Sequence, residues 1–135
     1  MRRHVLSTVA AVGFLASGCG SGTHRALPAL SISERDFHIT VTPTVPAGYV
    51  SASLHNNGPV SHELLIIRAQ GPLPLRADGF TIDEDALHKR LVILMEPMGP
   101  SRRHFVVHLV PGRYIVLCNM AGHAASGMKT SFVAR

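Results

Sequence analysis

The chain has 135 residues, room for one domain and a short tail, which excludes a multidomain enzyme. Hydrophobic residues make up 46% and charged residues 16%, enough for a packed core and too apolar for a disordered chain, although no apolar run reaches the ~18 residues of a membrane span. Arg2 and Arg3 contribute two of the formal charge of +5, leaving about +3 on the rest with no Lys/Arg-rich run, so no nucleic-acid partner is expected.

Met1 to Gly18 reads as an export signal. Arg2, Arg3 and His4 make a cationic start, Val5 to Ala16 an apolar stretch, and Ala16-Ser17-Gly18 a small-residue cleavage region. Ser17-Gly18-Cys19 is similar to the lipobox of bacterial lipoproteins, in which the cysteine is lipidated and becomes the mature N-terminus, though Ala16 stands where Leu is most usual. Acyl chains on Cys19 would hold the domain on a membrane, since each buried CH₂ contributes ~0.8 kcal/mol. The alternatives are simple cleavage or an uncleaved leader serving as anchor. Gly20-Ser21-Gly22-Thr23 begins a flexible tether running to residue 30, and the domain is expected over 31–135. The expected location is the extracytoplasmic face of the cell membrane, as a lipoprotein, or the periplasm.

From about Ser31 the chain reads as short β segments. Phe37, Ile39 and Val41 alternate with His38, Thr40 and Thr42, predicting a half-buried strand, and Tyr49 to His55 predicts another, ended by the turn signal Asn56-Asn57-Gly58. His62 to Arg68 has four consecutive apolar residues and predicts a strand buried on both faces. Pro72, Pro74 and Gly79 mark an irregular loop, after which Thr81-Ile82-Asp83-Glu84 fits a capping box for a short helix through about Arg90. Leu91 to Met95, Arg103 to Val110, Arg113 to Cys118 and Met128 to Ala134 predict four more strands, with turns at Pro97–Pro100 and Pro111-Gly112. Roughly seven strands with one helical excursion predict an all-β sandwich, and nothing demands more than a monomer.

The only cysteines are Cys19 and Cys118. Cys19 lies in leader and tether sequence, so Cys118 is expected to lack a thiol partner, a Cys19–Cys118 bridge being the alternative. An unpaired cysteine outside the cytosol oxidises unless something occupies its sulfur, and a metal would do so. Cys118 opens a Cys-x4-His-x4-Met segment through His123 to Met128, at the exit of an apolar strand, and His62 heads another buried strand 56 positions upstream. Two His and one Cys with a weak axial Met form the ligand set of a blue-copper electron-transfer centre. Cu(I) favours soft sulfur and Cu(II) favours nitrogen, so a site between the two needs little rearrangement when the electron moves. Zinc gains little from a thioether, so Met128 favours copper.

On these residues the chain resembles the cupredoxins, and among them the small single-domain proteins of the azurin, plastocyanin, sulfocyanin and rusticyanin kind. Asn56-Asn57-Gly58 followed by His62-Glu63-Leu64 looks like the first-ligand region, and Pro111-Gly112-Arg113-Tyr114 followed by Cys118 through Met128 looks like the ligand loop. The resemblance implies a Greek-key β-sandwich holding one Cu(I)/Cu(II) ion. His62 and His123 would be its imidazole ligands, Cys118 its thiolate and Met128 its axial ligand. It further implies that His123 lies at the domain rim, where redox partner proteins dock on an apolar patch that Met120, Ala121, Ala124 and Ala125 would form. Ala121 occupies a position where many relatives have Pro, which adds an N–H and some freedom to the loop.

The loop has no second Cys, since position 122 is Gly122, so a binuclear copper centre is excluded; Leu117 and Asn119 flank the cysteine where a multicopper oxidase carries histidines. An electron carrier rather than an enzyme is therefore expected, the alternative being an accessory protein that stores copper or delivers it to an oxidase. His24, His38, His55, His88, His104 and His108 are read as solvated or core residues. Met95 and Met98 are read as packing rather than a thioether trafficking motif, Glu63 as a neighbour of the site or a surface residue, and Asp83-Glu84-Asp85 as the acidic first turn of the helix.

Overall fold

The computed structural model describes residues 25–135; the export signal, Cys19 and His24 lie outside them. The described residues form two sheets face to face. The first contains β1 (Ala29–Arg35), β2 (His38–Val41), β4 (Gly48–Asn56) and β7 (Ser101–Leu109), in the order β2-β1-β4-β7. The second contains β3 (Thr44–Val45), β5 (His62–Arg68), β6 (Leu91–Met98), β8 (Gly112–Leu117) and β9 (Lys129–Ala134), in the order β3-β9-β8-β5-β6. The all-β sandwich expected from the sequence is thus observed. Parallel pairings of β1 with β4 and of β3 with β9 join the antiparallel hairpins.

Alternation decides which side chains fill the space between the sheets. Leu30, Ile32, Val50, Ala52 and Leu54 of the first sheet meet Leu64, Ile66, Val116 and Phe132 of the second in one buried cluster. Burying each of the Leu, Ile, Val and Phe side chains contributes roughly 1.5–3 kcal/mol. Tyr114 stacks on Phe132 at 5.1 Å and its hydroxyl donates to the Val110 carbonyl at 2.7 Å, anchoring the turn into β8.

The strand from His62 is buried on both faces, as its continuous apolar run predicts. Leu64 and Ile66 point into the sandwich, while Leu65 and Ile67 join Ile82, Leu87, Leu117 and Ala124 in a second cluster. The excursion between β5 and β6 therefore serves as a cover for the outer face of the second sheet. Its helix α1 (Glu84–Leu87) is shorter than expected and gives way to a 3₁₀ turn over His88–Arg90, His88 standing at φ +41°. The expected capping box does not form. Thr81 instead donates its hydroxyl to Asp78, at 2.6 Å, and Asp83 caps the helix by accepting from the Ala86 amide at 3.3 Å.

Two strands escape the sequence reading. β3 is two residues long, and β1 begins at Ala29, two residues before Ser31, with Leu30 fully buried. Conversely, the strand expected from Phe37 begins at His38. Asp36 and Phe37 form the β1–β2 turn, and Phe37 is exposed at φ +57° rather than facing the core.

Candidate metal centre

One end of the sandwich collects the donors. Asn56, at the close of β4, is buried and folds the chain toward β5: its side-chain Oδ1 accepts from the Gly58 amide at 2.9 Å, and its side-chain Nδ2 donates to the carbonyls of Val60 and Met98 at 2.8 and 2.9 Å. The Asn57 amide donates to the Glu34 carbonyl at 2.8 Å, fastening this loop to β1. The next strand then starts on His62, whose side chain is wholly buried.

Cys118 follows β8, which lies between β5 and β9, and its side chain is also wholly buried. The chain then loops back within the reach of its own hydrogen bonds. The His123 amide donates to the Met120 carbonyl at 2.9 Å, the Met128 amide to the His123 carbonyl at 2.9 Å, and the Cys118 amide to the Met128 carbonyl at 3.1 Å. Gly122 and Gly127 take φ of +81° and +104° immediately before His123 and Met128, values that residues with a Cβ rarely adopt. The loop thereby presents its imidazole and its thioether without strain.

One donor atom each from His62, Cys118 and His123 lies within 4.8 Å of the other two, close enough to hold one metal ion. Both imidazoles turn Nδ1 toward the sulfur, at 4.0 Å for His62 and 3.4 Å for His123, and their rings meet edge to face at 5.4 Å. Met128 is fully buried in the same apolar cluster as Cys118. The Glu63 amide lies 3.4 Å from the sulfur and donates to it.

The electrostatics favour neutral groups here. Burial pushes the Cys118 thiol up; the amides of Met120 and Glu63 oppose this, and the charges of Glu34 and Glu63 add to it. Burial, then the neighbouring His123, lowers the His62 pKa against the pull of Asp36. A neutral His62 keeps a lone pair for coordination, and the buried thiol would yield its proton to a cation. Two imidazoles, one sulfur that a bound cation would deprotonate and a thioether in the adjoining core suit copper better than zinc.

The other candidates lie apart. His38, His88, His104 and His108 are exposed; His108 packs against Tyr49 at 4.8 Å, and half-buried His55 contacts Arg102 at 3.2 Å. Met98 is buried in the main core and Met95 packs against it. Around half-buried His123, Ala121 and Ala125 are exposed, but Ala124 turns inward beneath the excursion and leaves the expected patch. The half-buried Glu63 carboxyl is pushed up to about 7 by burial and then by Glu84 and Glu96, against the pull of Arg76.

Three contributors carried no signature in the sequence. Asn119 accepts from the Ile82 amide at 2.6 Å and donates to the Ile82 carbonyl at 3.2 Å and the Glu84 carboxylate at 2.6 Å, tying the excursion to the residue after Cys118. Asp36 stands 3.5 Å from His62 Nε2, and the Phe37 ring meets His123 edge-on at 5.3 Å. A two-residue turn between alternating strands gives no sign of what it will face.

Comparison with known proteins agrees with this geometry. Among curated proteins no match is found. Among solved structures, the chain is similar to dithionite-reduced auracyanin from Roseiflexus castenholzii, at 20% identity and a TM-score of 0.59 over 82% of this chain and 99% of that one. It is also similar to auracyanin A of Chloroflexus aurantiacus, described as a "blue" copper protein, at 17% identity and a TM-score of 0.59 over 79% and 98%. Rusticyanin from Thiobacillus ferrooxidans matches at 20% identity with a TM-score of 0.56 over 79% and 77%. These likenesses establish the fold. The model of the sulfocyanin (SoxE) domain matches residues 37–135, which contain all four expected ligands, and the chain belongs to that family.

Proposed function

We propose that this protein is a mononuclear type 1 copper protein that carries single electrons between extracytoplasmic or membrane redox partners, with His62, Cys118, His123 and Met128 as ligands. The observation that carries the reading is the convergence of two Nδ1 atoms on one buried sulfur, 3.4 and 4.0 Å away. Copper bound there supplies the one-electron couple between Cu(I) and Cu(II). The chain's part is to hold the donors in a dry site fixed by backbone hydrogen bonds, so that little has to move when the charge changes. The electron would pass at the half-buried edge of His123, where Phe37 and the neighbouring Ala121 are exposed to a docking protein. The protein does no chemistry on a substrate of its own.

The exported, lipid-anchored location rests on the leader and Cys19. Among the described residues no helix is long and apolar enough to cross a membrane. Voltammetry of the copper-loaded protein tests the function: an electron carrier gives a fast, reversible one-electron wave and retains its copper. A copper-delivery protein would exchange the ion readily and hold it in one oxidation state, and that result would overturn the reading.

A further inference from the structure

His62 has a second nitrogen, and its surroundings are unusual. Nε2 is buried with no hydrogen-bond partner among the described residues, and the Asp36 carboxylate stands 3.5 Å from it, within ion-pair range but longer than a formed N–H···O bond. A buried ring N–H without a partner costs about 1–3 kcal/mol, so the Asp36 carboxylate within reach is its natural acceptor. Space is kept for this approach. A Cβ added at Gly58 would stand 2.7 Å from Asp36 Oδ1 and 3.4 Å from His62 Nε2, so any side chain there displaces the carboxylate. Asp36 is delivered by the β1–β2 turn, whose other residue, Phe37, holds a left-handed backbone at φ +57°. That conformation is costly for a bulky residue and persists where its surroundings enforce it. The Phe37 ring touches His123; a single turn thus reaches both imidazoles.

We propose that Asp36 is the positioning residue of the first imidazole: its carboxylate takes the Nε2–H of His62 and fixes the tautomer whose Nδ1 lone pair faces Cys118, with Gly58 as the clearance that keeps the two together. A neutral imidazole carries one N–H, so holding it at Nε2 leaves Nδ1 open to a metal. The carboxylate also makes the ring a stronger donor, which favours Cu(II) over Cu(I). The consequence for copper rests on the function proposed above, whereas the tautomer does not.

Long-range proton–nitrogen NMR of the metal-free protein, at a pH where its histidines are neutral, reads the tautomer directly. In the parent protein His62 is expected as the Nε2–H form. Asp36→Ala, which removes the acceptor, and Gly58→Ala, which pushes it aside with its charge retained, should both reduce that population. In the copper-loaded protein both should weaken Cu(II) relative to Cu(I) by about tenfold, an upward shift of ~59 mV for one electron. An Nδ1–H tautomer in the parent protein overturns the assignment, as does a tautomer that neither variant changes. A response to Asp36→Ala alone also overturns it, because a charge acting at a distance needs no clearance. A parent protein that takes up no copper, with the tautomer results as expected, would strike the copper reading and leave this assignment standing.

Discussion

Nδ1 of His123 lies 3.4 Å from Sγ of Cys118, five residues earlier in the same loop. The backbone holds it there. The Met128 amide closes on the His123 carbonyl, and the Cys118 amide closes on the Met128 carbonyl, so three of the four proposed ligands share one hydrogen-bonded ring of chain. The fourth, His62, is carried in by a strand that pairs with β8 from Leu65 to Arg68. The donor geometry is therefore a property of the fold, which is the condition for an ion to change valence with little rearrangement.

Cys118→Ser should abolish the thiolate-to-Cu(II) band while leaving the sandwich folded. A buried hydroxyl in place of the sulfur costs roughly 1–3 kcal/mol, offset in part by the Glu63 amide that now donates to the sulfur. Visible absorption and circular dichroism check both halves, and an unchanged spectrum would remove Cys118 from the site.

Met128→Leu should keep copper and raise its reduction potential, because the weak axial donor that favours Cu(II) is gone. The side chain is wholly buried, and a swap of similar volume costs less than ~1.5 kcal/mol. Voltammetry reads the potential; a lowered value contradicts the axial role.

Glu34 makes stability depend on pH. Its side chain is fully buried with both carboxyl oxygens unpartnered among the described residues, and burial pushes its pKa from 4.5 up to about 7. Between those values the folded protein holds a proton that the unfolded chain has released, so stability falls as pH rises through the window. The full penalty, about 3 kcal/mol at 1.36 kcal/mol per pKa unit, is felt above it. Glu34→Gln should match the parent at acid pH and exceed it by about that amount well above neutrality, in denaturant titrations at both conditions. Glu63 adds a slope of the same sign that the substitution leaves in place. A parent and variant with parallel pH profiles would refute the assignment.

Asn119→Ala should loosen the excursion over the second sheet. It strands the buried Ile82 amide, a loss of about 1–3 kcal/mol. Hydrogen exchange should accelerate at Ile82 and through α1 while the main core stays protected; unchanged exchange at Ile82 and α1 would show that the tie is dispensable.

Cys19→Ala tests the anchor. Fractionation of cells expressing the full chain should move the protein from membrane to soluble fractions. Continued membrane association would assign the anchor to the uncleaved leader.

The sequence made the sandwich legible wherever alternation or a continuous apolar run was long enough to register, as in His62 to Arg68. β1 was missed because its inward positions pass from Leu30 and Ile32 to Glu34, a charged residue where the pattern calls for an apolar one. The helix cap was misplaced because Thr81 found a nearer acceptor in Asp78. For the site, the spacing from Cys118 to Met128 marked out the loop, since all its donors lie on one short stretch. Asp36, Phe37 and Asn119 were hidden because their roles depend on which strand lies across from them, a matter of tertiary packing rather than local pattern.

The absorption spectrum before and after one equivalent of Cu(II) tests the central claim most directly. An intense blue thiolate-to-copper band, bleached by a reductant and restored on oxidation, is the predicted result. A colourless, redox-silent protein after copper loading would contradict it.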